Sequence, residues 1–75
     1  MNTSTCLHNP INLTIIDPSC MNPIVDSPAY TGYIPVRRDM ISIRSIAYRV
    51  DDRLVEYKDN RVVRVILNVS RLFHV

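Results

Sequence analysis

From Met40 onward, apolar residues recur at every second position. Ile46, Tyr48 and Val50 keep that spacing, as do Val55 and Tyr57, and again Val63, Val65, Leu67 and Val69. Successive side chains of a strand point to opposite faces, so this period predicts β-structure. Asp51-Asp52 suits a two-residue hairpin loop, because Asp tolerates a positive φ. That turn sets Val50 opposite Arg53, Tyr48 opposite Val55 and Ile46 opposite Tyr57. A second loop over Lys58, Asp59 and Asn60 sets Tyr57 opposite Arg61, Val55 opposite Val63 and Arg53 opposite Val65. One face then collects Ile46, Tyr48, Val50, Val55, Tyr57, Val63, Val65, Leu67 and Val69. The other collects Ala47, Arg49, Leu54, Glu56, Val62, Arg64, Ile66, Asn68 and Ser70. A bulge near Ser45 and Ile46 would add Ile41 and Ile43 to the apolar face. The expected fold is mainly β, with a small antiparallel three-stranded meander over residues 40–75.

A helical hairpin over the same residues is the alternative. Ile43, Ala47, Val50, Leu54 and Tyr57 also fall on one helical stripe, and so do Val62, Ile66, Val69 and Phe73. Composition favours strands. From Asp39 to Val75, eleven residues are Ile or Val, against one Ala and one Glu. β-branched side chains lose rotamer freedom in helices and pack well on pleated surfaces.

The first half is different material. It holds all five prolines and the only glycine. Each proline removes a backbone donor and disfavours helix before it. The chain therefore divides into a Pro-rich extended, partly disordered arm at 1–38 and a meander at 39–75. Within the arm, Ile11, Leu13 and Ile15 alternate with Asn12 and Thr14 and predict one short strand, ended by Asp17-Pro18. Asp26 to Val36 reads as extended and turn-rich, with Gly32 between Tyr30 and Tyr33. Tyr33-Ile-Pro-Val36 has the form of a tyrosine-based sorting signal, a pattern that chance produces often.

At 75 residues the chain is one domain at most, with a small core. A three-stranded sheet leaves a face and two edges to cover, so a homo-oligomer or a subunit of a larger assembly is expected. The formal net charge is only +2, too weak to demand an anionic partner. All nine basic residues nevertheless lie between Arg37 and Arg71. No apolar run approaches the roughly 18 residues of a membrane span, and the start at Met1 lacks a secretion signal. A cytoplasmic location is expected, with Cys6 and Cys20 as free thiols. The sequons at Asn2, Asn12 and Asn68 are then accidental.

Candidate chemistry is sparse. Cys6, His8, Cys20 and His74 are the available soft ligands, but their spacing is unlike the paired ligands of structural zinc. No cofactor or metal is expected. No glycine-rich phosphate loop is present, and no nucleophile stands beside a histidine. Arg37, Arg38, Arg44, Arg49, Arg64 and Arg71 are candidates for nucleic-acid contacts. Against that reading, Tyr48 and Tyr57 fall on the other face, and Glu56 is placed to pair with Arg49 and Arg64. If the helical alternative held, residues 61–75 would form a basic amphipathic segment for a membrane surface. The expected function is a small non-enzymatic interaction or assembly module acting through its sheet face and edge. Such a chain would suit a viral accessory protein or a minor subunit of a large complex. Val65, Leu67, Val69, Phe73, Tyr48 and Tyr57 are the candidate interface residues.

Overall fold

The computed structural model describes residues 6–72, with side chains described for residues 9–72. It is mainly β, with no helix among the described residues. The strands are β1 (Cys6–Ile16), β2 (Val25–Tyr33), β3 (Met40–Ile43), β4 (Ile46–Lys58) and β5 (Arg61–Arg71). They form one curled sheet in the order β2-β1-β5-β4-β3. Neighbouring strands are antiparallel except β1 and β5, which pair in parallel from Asn12–Arg64 to Ile16–Asn68. β5 is thus the middle strand, and the segment 1–38 supplies two strands to the same sheet.

The helical alternative for residues 40–75 is not what forms. The strands of that segment follow the β-branched residues, but their turns differ from the expected ones. The first reversal lies at Arg44-Ser45, both in the left-handed region at φ 52 and 70. Asp51-Asp52 is no hairpin loop: β4 runs straight through it, with a register break between Val50 and Asp52. The Asp51 carboxylate explains why the chain bulges here instead of turning. It accepts hydrogen bonds from the Ser70 hydroxyl of β5 and from Arg49 Nε, at 3.0 Å for the latter. The Ser70 bond fastens it to the neighbouring strand, and the Arg49 bond lies within β4. The second reversal is a two-residue turn at Asp59-Asn60, with φ 55 and 65, closed by Lys58 opposite Arg61. A second irregularity follows, because Tyr57 pairs with Val62 and Glu56 with Arg64. This puts Val62, rather than Val63, against the core, and sets Val55 opposite Val65 rather than Val63.

Asn60 occupies a left-handed position that glycine adopts without steric cost. Asn60→Gly is expected to raise the thermal midpoint by a few degrees, on the order of 0.5 kcal/mol. Calorimetry of the two proteins checks it; an unchanged or lower midpoint would mean that Asn60 gains elsewhere what its backbone loses.

The core is Ile11, Leu13, Ile15, Ile34, Tyr48, Val50, Val65, Leu67 and Val69. Eight of these come from β1, β4 and β5 and lie on the inner face of the curl. Ile34 comes from the link between β2 and β3, which are the two edges of the sheet. That link crosses from one edge to the other and lays Ile34 into the open side of the curl. Ile41 and Ile43 pack against the core from β3, delivered by the Arg44-Ser45 turn rather than by a bulge. The two strand prolines sit where they do least harm. Pro10 precedes the stretch of β1 that pairs with β5, at a register break, and Pro28 sits on an edge strand.

Candidate interaction surface

A two-residue turn makes its flanking residues, here Ile43 and Ile46, a hydrogen-bonded pair. Bonded and non-bonded pairs then alternate, so Ile41 bonds to Tyr48. The N–H and C=O groups of Met40 and Ser42 point away from β4, toward the open edge. Nothing in Met40-Ile-Ser-Ile43 guards that edge: it has no proline, no charge and no bulge. The other edge strand, β2, is interrupted by Pro28 and carries Asp26. Met40 is 73% exposed on the outer face, opposite Arg49.

Beyond Met40 the β3–β4 ladder continues irregularly. Val50 N–H donates to Asp39 O at 2.9 Å, and Arg38 N–H donates to Val50 O at 2.7 Å. Arg38 takes φ 82, a conformation that costs about 1–2 kcal/mol for a residue with a Cβ. The turn that holds it is tied at several points. Asp39 N–H donates to Val36 O at 3.0 Å. The Asp39 carboxylate accepts from Val36 N–H at 2.9 Å and from the Tyr33 hydroxyl at 2.7 Å. Tyr33 ends β2 and Asp39 precedes β3, so this hydrogen bond latches the two edges of the sheet.

The latch perturbs both partners. The Val36 N–H and then the Tyr33 hydroxyl hold Asp39 below the ordinary 3.8, and the Asp39 carboxylate holds Tyr33 above the ordinary 10.0. A carboxylate with a lowered folded pKa adds stability above pH 3.8, lost as the pH falls through the lower folded value. A phenol with a raised folded pKa adds stability below pH 10.0, lost as the pH rises through the higher folded value. Thermal midpoints measured across pH should therefore fall at both extremes. In Tyr33→Phe the alkaline loss due to this pair should vanish, while part of the acid loss persists through Val36. Parallel alkaline limbs in the two proteins would show that the latch does not form.

An open groove of about 530 Å³ lies beside this turn, lined by Arg37, Arg38, Arg49, Val50, Asp51 and Asp52. Arg49 Nε is paired with Asp51 Oδ1 at 3.0 Å. The Ser70 hydroxyl first, then Arg49, hold the Asp51 carboxylate below its ordinary range, and the nearby charge of Arg37 adds to this. The side chains of Arg37 and Arg38 make no hydrogen bond or ion pair among the described residues.

The candidate residues from the sequence divide sharply by position. Val65, Leu67 and Val69 are fully buried and Tyr48 is 7% exposed, so none of the four offers a surface. The physical reason is that β1 adds to β5 and the sheet curls, enclosing the face that a bare meander would leave wet. Tyr57 is 66% exposed; Phe73 lies outside the described residues. Of the six arginines, the fold brings Arg37, Arg38 and Arg49 to one groove. Arg64 is instead paired with Glu56 at 3.5 Å on the outer face. Arg44 sits in the hairpin turn, and Arg71 ends β5, where its charge helps to lower the Asp17 carboxyl. The largest influence on Asp17 is the Ser19 N–H, donated at 2.9 Å within the turn that ends β1. Cys20 is a free, exposed thiol. The side chains of Cys6 and His8, and all of His74, lie outside the described residues. No cluster of three His, Cys, Asp or Glu residues suited to a metal ion occurs among the described residues. No helix of the described chain is long and apolar enough to cross a membrane.

Sequence reasoning missed Met40 and Ser42 as edge groups and Arg38 as a strained one. A signal for the edge was present: four uncharged residues bounded by Arg38-Asp39 and Arg44. Compared with known proteins, the chain matches no family model, no curated protein and no solved structure.

Proposed function

We propose that this chain is a small non-enzymatic protein-interaction module that takes an extended segment of another protein onto the edge of β3. The observation that carries the reading is the unguarded edge itself. Met40 and Ser42 offer two N–H donors and two C=O acceptors in strand geometry, and main-chain bonds of this kind are the basis of strand addition. The outer sheet face is a weaker candidate. Leu54 is 60% exposed there, but it is flanked by Asp52 and Glu56 on its own strand and by Arg64, Asn68 and Asn12 on the next two. Nucleic-acid binding has less support, since Arg49 and Arg64 are engaged by Asp51 and Glu56. A second copy of this chain is a weaker occupant than a different protein. The two-fold register with the longest overlap sets Ile41 against its own copy and places each Arg38 beside the other chain's Arg44.

Amide-resolved NMR with a short, strand-forming Thr-Val repeat peptide tests the proposal. In the free protein the Met40 and Ser42 amides should exchange rapidly while Ile41 and Ile43 are protected. With peptide, Met40 and Ser42 should become protected and shifts should centre on residues 38–43. Ser42→Pro removes only an outward-pointing N–H, so the fold should survive and the response should disappear. Shifts centred on Leu54 and Ile66, or on β2, would sink the β3 assignment.

A further inference from the structure

We infer that the groove of Arg37, Arg38 and Arg49 reads an acidic side chain, Asp or Glu, on the segment that binds β3. The inference rests on the strand-addition reading and specifies the partner. The break in the β4–β5 ladder between Val50 and Asp52 and the strained Arg38 meet at this one groove. Bulges and strained residues re-aim side chains, and here both bring charge to the same place. The bulge turns the Asp51 carboxylate onto Ser70 and Arg49, which satisfies it. Arg37 and Arg38 are then left as the guanidinium groups of the groove that make no hydrogen bond or ion pair among the described residues. A guanidinium presents paired donors that match a carboxylate in two parallel hydrogen bonds.

The groove is also in line with the edge. Arg38 and Asp39 continue the ladder of β3 against Val50, so a strand laid on Met40 and Ser42 runs on toward Arg38. Arg38 stands two residues before Met40. The acidic residue should accordingly lie about two positions from an apolar residue that rests on exposed Met40. A nucleic-acid strand fits the groove less well, because no aromatic lines it for a base to stack on.

The test is fluorescence anisotropy on the full chain with fluorescein-labelled Thr-Val repeat peptides. One set carries two Glu residues, at either end; a matched set carries two Gln; a labelled oligo-dT is the third probe. The Glu peptide with its acids at the favoured end should bind about tenfold tighter than its Gln counterpart, a difference of about 1.4 kcal/mol. The margin should shrink as salt is raised. In the double variant Arg37→Ser/Arg38→Gly the preference should vanish while the Gln peptide binds as before. Glycine relieves the backbone at position 38, so this variant should keep its circular dichroism spectrum, and its thermal midpoint should not fall. Equal binding of Glu and Gln peptides, a preference that persists in the double variant, or tighter binding of oligo-dT would each overturn the groove assignment. Peptide binding that survives Ser42→Pro would instead overturn strand addition and leave the groove standing. Absence of binding by every peptide at millimolar concentration would overturn both.

Discussion

Val65→Asp is expected to leave the chain unfolded. Val65 is fully buried on the middle strand, flanked in register by Val55 of β4 and Leu13 of β1. A carboxylate there would have apolar neighbours on both strands and no partner. Burying an unpaired charge costs several kcal/mol even after relaxation. Chains of this length are stable by about 4–11 kcal/mol in all, so the substitution takes most or all of the margin. Neutralising the carboxylate by protonation would relieve only part of the cost, because the lost Val packing and the buried hydroxyl remain. The matched control is Leu54→Asp on β4, at 60% exposure, which should cost only about 1 kcal/mol. Proton NMR dispersion and thermal unfolding separate the two outcomes. A folded Val65→Asp with a normal midpoint would mean that β5 is not held between β1 and β4.

The face that Val65 belongs to was legible in the sequence, and the reason it was legible is also the reason its topology was not. A two-residue hairpin at Asp51-Asp52 sets residues 53, 55 and 57 on the same face as residues 46, 48 and 50. A one-residue bulge at Asp51 shifts the alternation by one and gives the same membership. Periodicity cannot distinguish the two; the Ser70 hydroxyl of β5, which fastens Asp51 to the neighbouring strand, favours the bulge. The true first turn carried no glycine or asparagine, and Arg44 and Ser45 are poor advertisements for a left-handed pair. In the first half, Ile11, Leu13 and Ile15 were readable as a half-buried strand. β2 was hidden by Pro28 and Gly32, which punctuate most strands but are tolerated at an edge. The parallel pairing of β1 with β5 had no local signal at all, since it joins residues more than fifty positions apart. The site suffered from the same gap. Arg37, Arg38 and Arg49 were recognisable as basic residues, but only the bulge and the Arg38 turn bring them to one groove.

Cutting the chain between its two sequence halves tests how far the second depends on the first. A fragment of residues 39–75 keeps Tyr48, Val50, Val65, Leu67 and Val69, and loses Ile11, Leu13, Ile15 and Ile34 from the core. Burying a large apolar side chain is worth about 1.5–3 kcal/mol, so the four together account for about 6–12 kcal/mol. That is as large as the whole stability expected for the intact chain, about 4–11 kcal/mol. The cut also opens one side of β5 from Arg64 to Asn68, where β1 had paired, and removes both the Ile34 cover and the Tyr33 end of the latch to Asp39. A 37-residue sheet whose apolar face stays wet buries too little surface to be stable alone. The isolated fragment should therefore give a random-coil circular dichroism spectrum with no cooperative thermal transition, or should aggregate through its open strand. Adding a peptide of residues 1–38 should restore sheet signal with a saturable, equimolar endpoint, because β1 and Ile34 return as a unit. A cooperative transition in the fragment alone would place the cover of the sheet within residues 39–75 and remove β1 from the core.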